Sequence, residues 1–327
     1  MIESDPFAGL RVESDGVHVA VAVIRDGQGR VLIARRAPHA HQGGRWEFPG
    51  GKVEPDEDIH AALRRELREE LGIVPRRMFP LLRIAHRYPE KKVLLDVWDI
   101  LAFDGEPTGR EGQPLRWVAP AALEEYRFPD ANNPIVRAVR LPHQYLISPQ
   151  PVPGAERDFL RQLQHRLLAG IRLVQLRAHD LDDDEYTRLA EQCRELCQRH
   201  GALLQLNRDP GLAAQLGTGL HLTSRRLNSV STRPALASGQ LLSASCHDAL
   251  ELDRAEALQV DFCVLGPVER TASHPGAEPL GFPAFAELIR NRPFPVFALG
   301  GMRATHLDIA RYHRAQGIAA ISALWSP

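Results

Sequence analysis

From Tyr145 onward the chain repeats one pattern eight times, a short apolar run followed by a longer stretch that ends before the next run. The runs are YLIS, IRLVQLR, ALLQLN, GLHL, LLSAS, DFCVLG, PVFALGG and IAAISAL. Segments with helical spacing lie between them, among them RDFLRQLQHRLLAG and DDDEYTRLAEQCRELCQRHG. Short, nearly continuous apolar runs read as strands covered on both faces. Strands that alternate with helices pair in parallel, and eight of them close as a (β/α)8 barrel.

The preceding residues follow a different pattern. VHVAVAVIRD and RVLIARRA alternate like two strands joined by the turn DGQG. Three more strand-like runs, LLRIAHRY, KVLLDVWDILAF and PLRWV, come after a helix, and NNPIVRAVR reads as a closing helix. Residues 1–16 are expected to be an N-terminal extension, residues 17–142 an α+β domain with a mixed sheet, and residues 144–327 the α/β barrel. LPHQ is the junction between them. A chain of 327 residues can build two such cores.

Hydrophobic residues make up 44% and charged residues 25%, the balance of a soluble globular protein. A net charge of −1 gives no surface for polymeric nucleic acid, although one nucleotide or phosphate ester needs only local charge. Cys193, Cys197, Cys246 and Cys263 make neither a zinc spacing nor a disulfide framework. MIESDPFAGL has no basic or apolar leader, and no run reaches membrane-spanning length, so a cytoplasmic location is expected. Nothing in the sequence sets the oligomeric state.

The stretch GGKVEPDEDIHAALRRELREELGI, residues 50–73, carries the first chemical signal. Pro55, Asp56, Glu57 and Asp58 suit a first helical turn and Gly72 suits a C-terminal cap. At about 100° per residue, Ile59, Ala62, Leu63 and Leu67 form the apolar face, and Glu66 and Glu70 fall inside it. Glu69 sits at its edge, while Arg64, Arg65 and Arg68 point outward. Inward carboxylates must take up protons, find cations or bind metal. Acids at i, i+3 and i+4 share a face and can converge on a hard divalent cation.

This stretch resembles the Nudix box at every fixed position: Gly51, Glu57, Arg65, Glu66, Leu67, Glu69, Glu70, Gly72 and Ile73. The resemblance implies an α/β/α sandwich that uses Mg2+ or Mn2+ to cleave nucleoside diphosphates linked to another group. It also implies Glu66, Glu69, Glu70 and Gly50 as the metal set, with Glu57 and Arg65 bracing the loop and helix. Further likeness, in RVLIARRAPHAHQGGRWEFPGGK, REGQPLRWV and FPDANNP, is to the MutT-type members, which act on 8-oxo-dGTP. By that likeness Glu111 is a further metal-site or base-like carboxylate, and Arg36, Phe48, Glu90 and Asn132 line the nucleotide pocket. An asparagine amide offers a donor and an acceptor to a purine edge, and oxidation at C8 turns N7 into a donor. Asn132 and Asn133 beside Pro134 also suit a helix cap.

The barrel region resembles thiamine-phosphate synthase through IRLVQLRAH, LLQLNRDPGLA, LSASCH, VLGPVERTASH, ALGGM and ISAL. That family joins a pyrimidine diphosphate to a thiazole phosphate with Mg2+. By resemblance Gln175, Arg177, Asn207, Thr271, Ser273, Gly300, Gly301 and Ser322 bind ligand, the two glycines and Ser322 at the barrel's phosphate position. His179 and His274 stand where the family has lysine, and no lysine follows Lys92. Arg208 and Arg226 replace the two metal-binding aspartates, and are expected to hold phosphate oxygens directly. The expected activity is Mg2+-dependent hydrolysis of 8-oxo-dGTP to 8-oxo-dGMP and diphosphate, with the barrel a phosphate-ligand site or scaffold. One alternative is hydrolysis of a thiamine-related diphosphate beside an active synthase domain. The other is a ligand-sensing barrel that regulates the hydrolase.

Overall fold

The structure is a computed structural model that describes residues 16–39, 42–89, 91–271, 276 and 278–326. The chain forms two compact units that part between Arg140 and Leu141. In the first, β1 (Gly16–Ile24), β4 (Gly50–Lys52), β5 (Val74–Arg87) and β6 (Lys92–Asp104) make one sheet in the order β4-β1-β6-β5. The β1–β6 pair is parallel and the other pairs antiparallel, so the sheet is mixed. A second, antiparallel sheet holds β2 (Val31–Arg35) between β3 (Trp46–Glu47) and β7 (Leu115–Val118). The expected turn closes between Asp26 and Arg30, but β1 and β2 then diverge into different sheets.

Alternation along β1 builds both layers. Ala20, Ala22 and Ile24 meet Ala62, Leu63, Leu67 and Leu71 of α1 (Ile59–Leu71). Val21 and Val23 point the other way, to a core shared with Ile135, Val136 and Val139 of α2 (Asn133–Arg140). Alanines on the α1 side leave room for the helix to lie close to the strand, which brings its glutamates to the Gly50–Lys52 strand.

The second unit is a closed parallel barrel. Its strands are β8 (Gln144–Ile147), β9 (Leu173–Leu176), β10 (Leu203–Leu206), β11 (Gly219–Leu222), β12 (Leu242–Cys246), β13 (Phe262–Leu265), β14 (Val296–Leu299) and β15 (Gly317–Ala320). All eight coincide with the runs read from the sequence, and β15 pairs with β8 to close the ring. The outer layer comprises α3 (Glu156–Leu168), α4 (Asp183–Arg199), α5 (Pro210–Leu216), α6 (Ser224–Ser229), α7 (Ala249–Ala257), α8 (Gly281–Ile289), α9 (Leu307–Tyr312) and α10 (Ser322–Trp325). Tyr145, Leu173, Phe262, Val264, Phe297 and Ala319 fill the interior, while the helices cover the outward residues. Among the described residues no helix is long and apolar enough to cross a membrane.

Candidate functional site

Asp58 caps α1, its carboxylate accepting from the Ala61 N–H at 2.8 Å. The acids at 56–58 therefore precede the helix instead of filling its first turn, because a capping residue sits outside helical geometry. Gly72 closes the other end as expected, at φ 74° with its N–H on the Leu67 and Arg68 carbonyls. Glu66 and Glu70 are half-buried beside the apolar face, and Glu69 is exposed. The Glu66 carboxylate lies over Gly51, where any Cβ would overlap it. The Gly50 N–H donates to Glu70 Oε2 at 3.3 Å.

Burial pushes the Glu70 carboxyl up to about 8. The Gly50 N–H opposes that rise, while the carboxylates of Glu66, Glu111 and Glu47 add to it. A half-buried carboxyl crowded by other carboxylates is the setting that a hard divalent cation relieves, and oxygen donors suit Mg2+ or Mn2+. The residues fit such an ion. They are not drawn into a finished cage: among the described residues no three ligand-type side chains stand close enough to grip one ion.

Arg65 accounts for part of that arrangement. It does not point away from the acids. Its guanidinium donates to Glu57 at 2.9 and 2.8 Å, to Glu66 at 2.8 Å, to Glu69 at 3.5 Å and to the Lys52 carbonyl at 3.0 Å. A wheel fixes the Cα direction, but four side-chain bonds of reach allow an arginine to fold back along the helix. Glu69 is thus held by Arg65, not turned inward with Glu66 and Glu70. Glu111 is exposed in the loop after β6, its N–H donating to Gln113 Oε1 at 2.9 Å. That loop is tied to the end of α1 because Gln113 Nε2 and the Arg110 N–H both reach the Glu70 carbonyl.

On the neighbouring flank Arg36 pairs with Glu47, whose carboxyl is raised by burial against the pull of that arginine. Phe48 is buried and stacked on Phe128, with ring centroids 5.4 Å apart. The Trp46 N–H donates to the Arg127 carbonyl, and Arg45 reaches the Phe128 carbonyl at 3.2 Å. These bonds hold the start of the FPDANNP segment against β3, and Asn132 further along it is half-buried. Asn132 ends a short 3-10 turn, Asp130–Asn132, before α2. Glu90 lies outside the described residues.

The barrel has a cavity of about 610 Å3 at the C-terminal ends of its strands. Its lining continues the two-residue period of the inward face. Gln175, Arg177 and His179 rise from β9, Asn207 from β10, His221 and Thr223 from β11, and Ser245 and His247 from β12. Thr271, Gly300, Gly301 and Ser322 also line it. Gly300 and Gly301 adopt φ 94° and 69°, and a Cβ on either would collide with the loop of Pro267 to Arg270. Ser273 and His274 lie outside the described residues.

Two expectations fail here. Arg208 does not line the cavity. It donates to the Leu181 and Asp182 carbonyls at 2.7 and 3.0 Å and lies over the Tyr186 ring at 4.8 Å. Arg226 is also absent from the lining, because α6 starts at Ser224 and its turn presents Arg225 there instead. The sequence reading missed Arg225, Arg270, Arg303, His221, Ser245 and His247, all of which line the cavity. For three of them the signal was present: the alternation in GLHL and LLSAS, carried two residues past the strand, marks His221, Ser245 and His247.

Beneath the cavity lies a buried polar network. His221 Nδ1 is 2.9 Å from Ser243 Oγ and its Nε2 is 2.8 Å from Ser245 Oγ. The Ser243 hydroxyl donates to Gln205 Oε1 and the Tyr145 hydroxyl to Gln175 Oε1. With those two protons so placed, the imidazole donates from Nδ1 to Ser243 and accepts from Ser245 at Nε2. Burial lowers the His221 pKa to about 3. At the rim, His179 is also lowered, by burial first and then by Arg177 and Arg208, with Asp180 opposing. The mouth is a field of positive charge.

Comparison with known proteins agrees with both halves. The NUDIX domain model matches residues 20–138, and the thiamine monophosphate synthase model matches residues 144–324. The 8-oxo-dGTP diphosphatase of Escherichia coli (strain K12) is 36% identical over 124 residues, 38% of this chain and 96% of that protein. The CTP pyrophosphohydrolase of the same organism is 37% identical over 118 residues, 36% of this chain and 87% of that protein. A putative thiamine-phosphate synthase of Geobacter sulfurreducens is 36% identical over 182 residues, 55% of this chain and 85% of that protein. The molecule is a Nudix pyrophosphohydrolase joined to a barrel. The chain belongs to the Nudix family through its first unit and to the thiamine monophosphate synthase family through its second.

Proposed function

We propose that the first unit hydrolyses 8-oxo-dGTP to 8-oxo-dGMP and diphosphate, and that the barrel binds a phosphate-bearing ligand. The observation that carries the first part is the half-buried Glu70 carboxyl, set against Gly50 and crowded by Glu66, Glu111 and Glu47. Glu66, Glu69, Glu70 and Gly50 are the residues that would hold a divalent cation. Once bound, such an ion neutralises diphosphate oxygens and polarises the attacking water. Water adds to the β-phosphorus, the bond from that phosphorus to the α–β bridging oxygen breaks, and the nucleoside monophosphate leaves. Glu111 takes the proton of the water. Glu57 and Arg65 fix the helix to the Lys52 strand. Arg36, Phe48, Glu90 and Asn132 line the nucleotide, with the Asn132 amide reading the oxidised purine edge.

The test is kcat/KM with Mg2+ for 8-oxo-dGTP, dGTP, CTP and thiamine diphosphate, on the full-length protein. A preference of about 100-fold or more for 8-oxo-dGTP over dGTP is expected, as for a site that pairs with a substrate N–H. Asn132→Ala should cut that ratio about tenfold or more, the cost of one lost specific pair. CTP or thiamine diphosphate as the best substrate would sink the assignment.

A further inference from the structure

The Mg2+ implied for the barrel by its family finds no carboxylate in the described lining of the mouth. The described lining holds Arg177, Arg225, Arg270, Arg303, His179 and His247, and no aspartate or glutamate. Residues 272–275 and 277, outside the described set, are Ala, Ser, His, Pro and Ala, so none of them is an acid either. Asp180 acts on His179 from the exposed rim, and three further acids around the mouth have partners of their own. Asp209 caps α5 by accepting from the Leu212 N–H at 2.8 Å, and Asp182 caps α4 through Glu185. Glu251 accepts from Ser224 Oγ, from Asn228 at 2.9 Å, and from the backbone N–H of His247 at 2.8 Å, with the His247 ring Nδ1 at 3.0 Å. Mg2+ requires oxygen ligands, usually with one or two carboxylates, and a rim of guanidinium groups repels it.

The same rim suits a phosphate anion. Arginine presents paired N–H donors matched to phosphate oxygens and stays charged. Glu251 orients His247 through Nδ1, which leaves Nε2 as the second ring donor or acceptor. We propose that the barrel mouth binds a phosphate ester or diphosphate without any divalent cation, its arginines neutralising the charge that metal neutralises elsewhere in the family. This rests on reading the barrel as a phosphate-ligand site. One chain would then hold two phosphate sites of opposite character, an acidic one that needs metal and a basic one that does not.

The experiment is titration calorimetry of the full-length protein with inorganic diphosphate, once in excess EDTA and once in excess Mg2+. Binding in EDTA is expected, and Mg2+ should weaken it several-fold because the magnesium complex presents less negative charge. The R225Q/R303Q double variant, altered at two exposed rim residues, should lose at least tenfold in affinity. In EDTA, where the first unit holds no metal, Glu70→Gln should bind as the parent does. Binding only in Mg2+ that is lost in R225Q/R303Q would overturn the metal-free inference and keep the phosphate reading. Absence of binding in both conditions would overturn the phosphate reading as well. Binding lost in Glu70→Gln but kept in R225Q/R303Q would place the diphosphate in the first unit and overturn the proposal.

Discussion

In the proposed hydrolase, Glu70 is a side chain that costs stability and would carry function. Its carboxyl is half-buried among other carboxylates, so ionisation there is disfavoured. Glu70→Gln keeps the shape and removes the charge. Hydrolysis should fall by about 1000-fold, a loss of roughly 4 kcal/mol of transition-state stabilisation. The metal-free melting temperature should hold or rise, and a drop of several degrees would mean that Glu70 serves the fold. The placing of Glu66 and Glu70 beside the apolar face was legible because fixed spacing on a helix fixes which residues share a face. Arg65 was not, because a long side chain folds back along the helix to Glu57 and Glu66 whatever its Cα direction. Arg208 and Arg226 were misplaced for a related reason. Alignment along a chain gives position, whereas the caps Asp209 and Thr223 set where each neighbouring side chain points.

At the level of elements, the barrel was readable because each strand is a compact apolar run, whereas β3 and β4 are too short to show a period. The polar residues inside the barrel carry a cost that pH exposes. His221 is buried, with its pKa lowered to about 3, against about 6.5 in an unfolded chain. Below about pH 6.5 the unfolded chain binds a proton that the native barrel refuses until about pH 3. Stability is therefore full above that window and lost as pH falls through it, by up to about 1.4 kcal/mol per unit. The urea midpoint of the barrel should drop between pH 7 and pH 5, and His221→Gln should flatten the drop while lowering stability overall. An equally steep drop in the variant would assign the effect to other groups.

At the scale of the molecule, each unit has its own core. Asp96, fully buried in the first unit, accepts from Arg83 at 2.8 and 2.7 Å and from Trp98 at 3.0 Å. Asp96→Asn leaves the buried Arg83 charge without its counter-charge, a loss of about 3–5 kcal/mol. Separate cores predict two calorimetric transitions in the full-length protein, and this substitution should lower only one of them, by about 10 °C or more. Inorganic diphosphate in EDTA should raise the other, because a ligand stabilises the unit that binds it. The two perturbations thus label the transitions independently, one through a buried ion pair and the other through the arginine rim. A single transition that moves as a whole under both would mean that the two cores melt together, and that ligand in the barrel also stabilises the hydrolase fold.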